Sequence, residues 1–169
     1  MKKIAMMIAA LVMTLSANAQ FEQGKMYVGA SMTGLDASYS GATEFHLGVD
    51  AKAGYFFMDN LLALGQVGYS HDGSEGSSDK FNIGVGGRYY IVQNGIFLGA
   101  GAKYVHASGY NDFMPNVEVG YAFFINRTVT IEPALYYEQS IKNHSDYSKV
   151  GLRIGIGINL FKDTPKYFR

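Results

Sequence analysis

The chain has 169 residues, a formal net charge of +0 at pH 7, no cysteine and no tryptophan. Without cysteine there are no disulfides, thiolate metal sites or cysteine nucleophiles, and the balanced charge gives no attraction to nucleic acid. With 21 Gly, 13 Tyr and 11 Phe against 3 Pro, the composition favours strands and close backbone packing over helices.

The chain opens on a secretory signal. Lys2 and Lys3 form a positive n-region, Ile4 to Leu15 is apolar apart from Thr14, and Ala17-Asn18-Ala19 is a small-x-small cleavage site before Gln20. The apolar run is shorter than the roughly 20 residues a spanning helix needs, and no other segment qualifies. Residues 1–19 are therefore read as a signal peptide, 20–161 as one domain and 162–169 as a short tail.

Past the signal the pattern is one of strands. The first, near Met26–Thr33, alternates loosely. In the second, Phe45, Leu47, Val49, Ala51, Ala53, Tyr55 and Phe57 share one face, against His46, Gly48, Asp50, Lys52 and Gly54. The third, near Leu61–Ser70, is the least regular because Leu62 and Leu64 fall on its polar side. The fourth sets Phe81, Ile83, Val85, Tyr89 and Ile91 against Lys80, Asn82, Gly84, Gly86 and Arg88. A fifth lies near Ile96–Val105, and the sixth sets Phe113, Val117, Val119, Tyr121 and Phe123 against Asn116, Glu118 and Gly120. A seventh lies near Thr128–Glu138, and the eighth sets Val150, Leu152, Ile154, Ile156, Ile158 and Leu160 against Gly151, Arg153, Gly155, Gly157 and Asn159. A period of two this regular means strands with one apolar and one polar face.

Short turn signals at Met58-Asp59-Asn60, Val92-Gln93-Asn94 and Ile125-Asn126-Arg127 recur about 32 to 34 residues apart, the length of two strands with one short and one longer connection. The longer connections are polar and glycine-rich: Asp36 to Thr43, Asp72 to Ser78, Ala107 to Asn111 and Ile141 to Asp146. Alternation of the two puts the turns at one end and the loops at the other. The expected fold is all-β, a closed up-and-down antiparallel barrel of about eight strands.

Volume decides which face is outside. The interior of an eight-stranded barrel has room only for packed side chains, and the apolar faces carry too many large residues to fit there. The charged faces are rich in glycine, as a crowded interior requires. Aromatics also fall near both ends of the apolar face: Tyr55, Phe57, Tyr89, Tyr121 and Phe123 by the turns, and Phe45, Tyr69, Phe81, Tyr104, Phe113 and Tyr137 by the loops. About ten tilted strand residues separate the rows, roughly 25 Å, the height of a lipid-facing band between two aromatic girdles. Parity then turns Asp50, Lys52, Arg88, Lys103, Glu118, Glu132, Glu138, Lys149 and Arg153 inward. Buried charges must pair, so a mid-barrel network of Asp50, Lys52, Arg88, Lys103, Glu118, Glu132 and Arg153 is expected to plug the lumen.

In the last strand, Arg153-x-Gly155-x-x-Ile158-x-Leu160 resembles the C-terminal recognition strand of outer-membrane barrels, although Lys162–Arg169 follow Phe161 as a tail. From about Gln20 to Phe161 the chain resembles the small eight-stranded outer-membrane β-barrel family, of the OmpA transmembrane-domain and OmpX type. The resemblance implies an integral protein of a Gram-negative-type outer membrane, inserted by the barrel-insertion machinery and in contact with outer-membrane lipids and lipopolysaccharide. It says little of activity; the expected role is structural, adhesive or in surface recognition, since the long loops tolerate variation while the barrel holds them rigidly towards an extracellular ligand.

Two other classes are compatible with the sequence: a small-solute channel through the lumen, and a lipid A-modifying hydrolase. The second rests on His106-x-Ser108, which distantly resembles the His-x-Ser pair of outer-membrane lipid A deacylases. A histidine base also needs an orienting carboxylate, and the nearest, Glu118, turns inward by parity. His46 is expected to point inward and His71 and His106 outward, so the histidines do not converge on a metal. The sequence reading is therefore of a protein that is not an enzyme, with no catalytic residue, metal or cofactor. Gly84-x-Gly86-Gly87 is not a phosphate loop, since the strand runs straight on.

Overall fold

The computed structural model describes residues 21–38, 43–44, 46–72, 80–91, 95–107, 110–142 and 148–160. The expected signal peptide (1–19), the C-terminal tail (162–169), Phe45 and Ser108 lie outside the described residues. Eight long strands follow in order: β1 (Met26–Ser38), β2 (His46–Met58), β3 (Leu61–Asp72), β4 (Lys80–Tyr90), β5 (Ile96–Ala107), β6 (Tyr110–Tyr121), β7 (Val129–Glu138) and β8 (Lys149–Leu160). Each pairs antiparallel with the next, and β1 pairs with β8 from Met26↔Leu160 to Ser38↔Lys149, which closes the sheet on itself. The fold is an eight-stranded antiparallel barrel.

The faces fall as the alternation requires. Along β8 the side chains of Val150, Leu152, Ile154, Ile156, Ile158 and Leu160 are exposed, while Gly151, Arg153, Gly155, Gly157 and Asn159 between them are buried. The contrast is extreme at mid-height, where Val85 is 71% exposed and Arg88 only 3%. A water-soluble protein shows the opposite distribution.

Local chemistry sets the turns. Between β2 and β3, Asn60 has φ 63°, a left-handed conformation that asparagine tolerates better than most residues. Between β6 and β7, Asn126 Oδ1 accepts hydrogen bonds from Thr128 N (2.8 Å), Thr128 Oγ1 (3.0 Å) and Val129 N (2.8 Å), a side-chain-closed turn. The β6–β7 ladder stops at Gly120↔Ala134 and resumes at Phe123↔Ile131. Pro133, with no N–H to give, lies inside that gap, where prolines are tolerated in sheets.

The structure shortens two of the expected connections, and in the first of them, Asp36 to Thr43, Asp36, Ala37 and Ser38 extend β1 and pair with Gly151, Val150 and Lys149. The sequence reads Ala107 to Asn111 as one of the longer polar connections, but Ala107 pairs with Tyr110 and His106 with Asn111, so the β5–β6 ladder takes up most of that segment. Strand pairing there absorbs residues whose polarity suggested a loop.

Candidate functional site within the barrel lumen

The lumen is layered. At the turn end the inward positions are apolar: Phe56, Leu62, Tyr90 and Phe97 are each 0% exposed and pack with Phe21, Ala122 and Ala134. Leu62, out of place in the sequence pattern, belongs to this cap. Phe56 and Tyr90 reach it by the same parity that carries Asp50 and Arg88 inward. Phe21, ahead of β1, was not expected there at all.

Above the cap lies the ionic layer. Arg88 Nε is 2.5 Å from Glu118 Oε1, and its Nη1 is 2.7 Å from Glu132 Oε2. Glu132 also accepts hydrogen bonds from Tyr27 Oη at 2.7 Å and Thr130 Oγ1 at 2.8 Å. Lys52 Nζ stands 3.6 Å from Glu118 Oε2. Arg153 is the hub. Its Nη1 reaches Glu118 Oε2 at 3.0 Å, its Nη2 Glu138 Oε1 at 3.5 Å and its Nε Asp50 Oδ2 at 3.9 Å. Towards the loop end, Lys103 Nζ is 2.7 Å and Lys149 Nζ 3.9 Å from Glu138 Oε2.

All seven residues expected in the network thus lie in one layer, joined by Glu138 and Lys149. Glu138 is 1% exposed and more central than its place at the end of β7 suggested. Aromatic rings line the cations: Arg88 lies 4.3 Å from the Phe97 ring centroid, and Arg153 lies 4.4 Å from that of Tyr136. Dense pairing is what makes so many dry charges tolerable, since an unpaired one would cost several kcal/mol. Beside the layer are voids of about 10 Å³, against Ser31, Arg88 and Glu132, and about 30 Å³, against Asn82, Lys103 and Glu138. Each has room for about one water molecule.

The third layer is polar and sits at the loop end. Buried Asp112 accepts the Ser140 hydroxyl and, at 3.2 Å, the Lys142 N–H, while Ser140 N donates to Ser148 Oγ at 3.0 Å. These bonds tie β6 to the β7–β8 connection.

On the outside, Tyr55, Phe57, Tyr89, Tyr69, Phe81, Tyr104 and Phe113 are 43–51% exposed, and Tyr121, Phe123 and Tyr137 are half-buried. In register Tyr69 faces Phe81 and Tyr104 faces Phe113, one row near the loops. Tyr121 and Phe123 pack with ring centroids 4.3 Å apart and planes tilted by 47° in the row by the turns. His106 is exposed, and its Nδ1 lies 2.5 Å from Asn111 Oδ1, an amide where a catalytic triad would place a carboxylate. Glu118 is committed to the lumen.

No family model matches the chain, and no curated protein does. Solved structures do. The N-terminal β-barrel domain of Pseudomonas aeruginosa OprF superimposes with a TM-score of 0.61 at 14% identity, over 82% of this chain and 98% of that one. Neisserial surface protein A superimposes with 0.61 at 16%, over 80% and 97%. Ail, the attachment invasion locus protein of Yersinia pestis, gives 0.51 at 15%, over 82% and 99%. The chain therefore has the fold of the eight-stranded outer-membrane β-barrels.

Proposed function

We propose that the protein is an integral outer-membrane β-barrel without enzymatic activity, its lumen plugged by the ionic layer and its loop end turned outward for structural, adhesive or recognition work. One observation carries the location: the inversion of burial, with Val85 and Ile154 at 71% and 63% exposure while Arg88, Glu132 and Glu138 are at 1–3%. Only a surrounding apolar solvent makes that arrangement favourable, and a closed barrel leaves no strand edge unpaired in it. Short turns then face the periplasm and the longer connections the exterior. The paired charges and water-sized voids support a plug over a channel. The amide partner of His106 supports a non-enzymatic surface. Ail is described as an attachment invasion locus protein, which supports adhesion among the outward roles. Outer-membrane lipids and lipopolysaccharide would meet the aromatic rows, and the barrel-insertion machinery would read β8.

The test is in two parts. Material extracted from outer membranes should migrate faster unheated than boiled on a gel, the mark of an intact barrel. In planar bilayers it should show no steady single-channel current; a current that changes with Arg88→Met would replace the plug by a channel. Altered lipid A acylation in cells carrying Ser108→Ala would replace it by the hydrolase.

A further inference from the structure

The segment ahead of β1 does something the strand pattern gives no reason for. It folds back over the turn-end mouth and places the Phe21 ring inside, 5% exposed. The ring stacks on Tyr90 with centroids 3.8 Å apart and planes at 22°, and packs against Phe56 at 5.9 Å and Phe124 at 5.6 Å. Its backbone is laced to the β2–β3 turn. Asn60 N donates to Phe21 O at 2.7 Å, Gln23 N to Asp59 Oδ1 at 2.8 Å, Gln23 Nε2 to Phe57 O at 2.9 Å and Gly24 N to Phe56 O at 2.8 Å. Gly24 has φ +90°, which an L side chain rarely adopts, so glycine lets the strap turn there. Asn60 in turn accepts from Tyr90 N at 2.8 Å, so the strap and the ring that Phe21 stacks on share one anchor.

We propose that Phe21–Lys25 is a stopper that closes the turn end of the lumen, a second closure independent of the ionic layer. An aromatic ring seated among three others excludes water from the lower lumen in a way that charges alone do not. Expected cleavage before Gln20 makes Phe21 the second residue of the processed chain, so the stopper sits on a free chain end and its withdrawal needs no strand to unpair. Its hold is the ring stack plus a few hydrogen bonds, of which the two made by Gln23 are exposed, the kind of contact that opens locally before a structure unfolds globally.

The native chain has no cysteine, so a single reporter is clean. Ala122→Cys places a thiol in the same buried cluster, and a charged, water-soluble methanethiosulfonate reads access to it in the full mature protein reconstituted in phospholipid vesicles. With Phe21 in place the thiol should react at least tenfold more slowly than an exposed turn thiol introduced as Asn126→Cys. Adding Phe21→Ala should speed the buried thiol about tenfold. Adding Asp59→Ala, which removes only the acceptor of the Gln23 backbone N–H, should speed it about threefold. An Ala122→Cys thiol that reacts as fast as the turn thiol, or a rate that Phe21→Ala leaves unchanged, overturns the stopper. If Phe21→Ala loses heat-modifiable migration, the Asp59→Ala arm decides, and an unchanged rate there overturns it. None of these rates depends on whether the ionic layer conducts.

Discussion

Arg88 and Glu118, 30 residues apart in the chain, meet across the lumen with Nε 2.5 Å from Oε1. Glu118 keeps Lys52 and Arg153 as further partners, whereas Arg88 is the sole cation within ion-pair distance of Glu132 among the described residues. Arg88→Met therefore strands Glu132 in a dry site. The expected loss is about 3–5 kcal/mol of unfolding free energy, read from the urea midpoint of protein refolded in detergent micelles. Combining Arg88→Met with Glu132→Leu, which leaves no orphaned charge, should recover at least half of that loss.

Close packing on the inner wall gives a second prediction. A Cβ at Gly157 would stand 2.5 Å from Glu132 Oε1, 2.6 Å from Thr130 Oγ1 and 2.7 Å from Tyr27 Cε2. At outward Gly65 the nearest atom would be Ala53 O at 3.9 Å. Gly157→Ala should cost about 1–3 kcal/mol, and Gly65→Ala should be neutral or stabilise by up to about 1 kcal/mol. The same urea titration compares them; equal effects would mean the inner wall is not crowded.

The ends of the barrel were harder to read than its wall. Outward rows such as Val150 to Leu160 were legible because nothing interrupts their period of two. Inward charges were legible for the same reason, down to individual residues. Which acid meets which base was not, since it depends on how far each strand is staggered against the next. The apolar cap was half-visible: parity alone turns Phe56, Leu62 and Tyr90 inward, but on a face otherwise polar they looked like noise. Phe21 gave no signal because it belongs to no strand. Loop polarity misled at Ala107–Asn111, where the β5–β6 ladder pairs residues whose side chains suit a loop equally well.

At the loop end, Asp112 holds the β7–β8 connection through Ser140 and Lys142. Asp112→Ala should free that connection while leaving the barrel folded. Protease added to intact cells should nick it faster, by roughly tenfold if the clamp contributes about 1.4 kcal/mol to local closure. Migration of the unheated barrel should be unchanged.

Depth along the outer wall can be probed by charge. Ile154 is central in the outward row of β8, and Ile141 is 65% exposed beyond the end of β7. Ile154→Arg should cost about 2–4 kcal/mol and Ile141→Arg about 0–1 kcal/mol, the difference expected between the bilayer midplane and its margin.

Contact with acyl chains is the most direct measurement of the orientation on which all of this depends. In nanodiscs, nuclear Overhauser effects from lipid methylenes should reach the Ile154 and Val85 methyl groups and be absent at the Ala134 methyl, which faces the lumen. Lipid cross-peaks at Ala134, with none at Ile154 and Val85, would turn the barrel inside out and contradict the account.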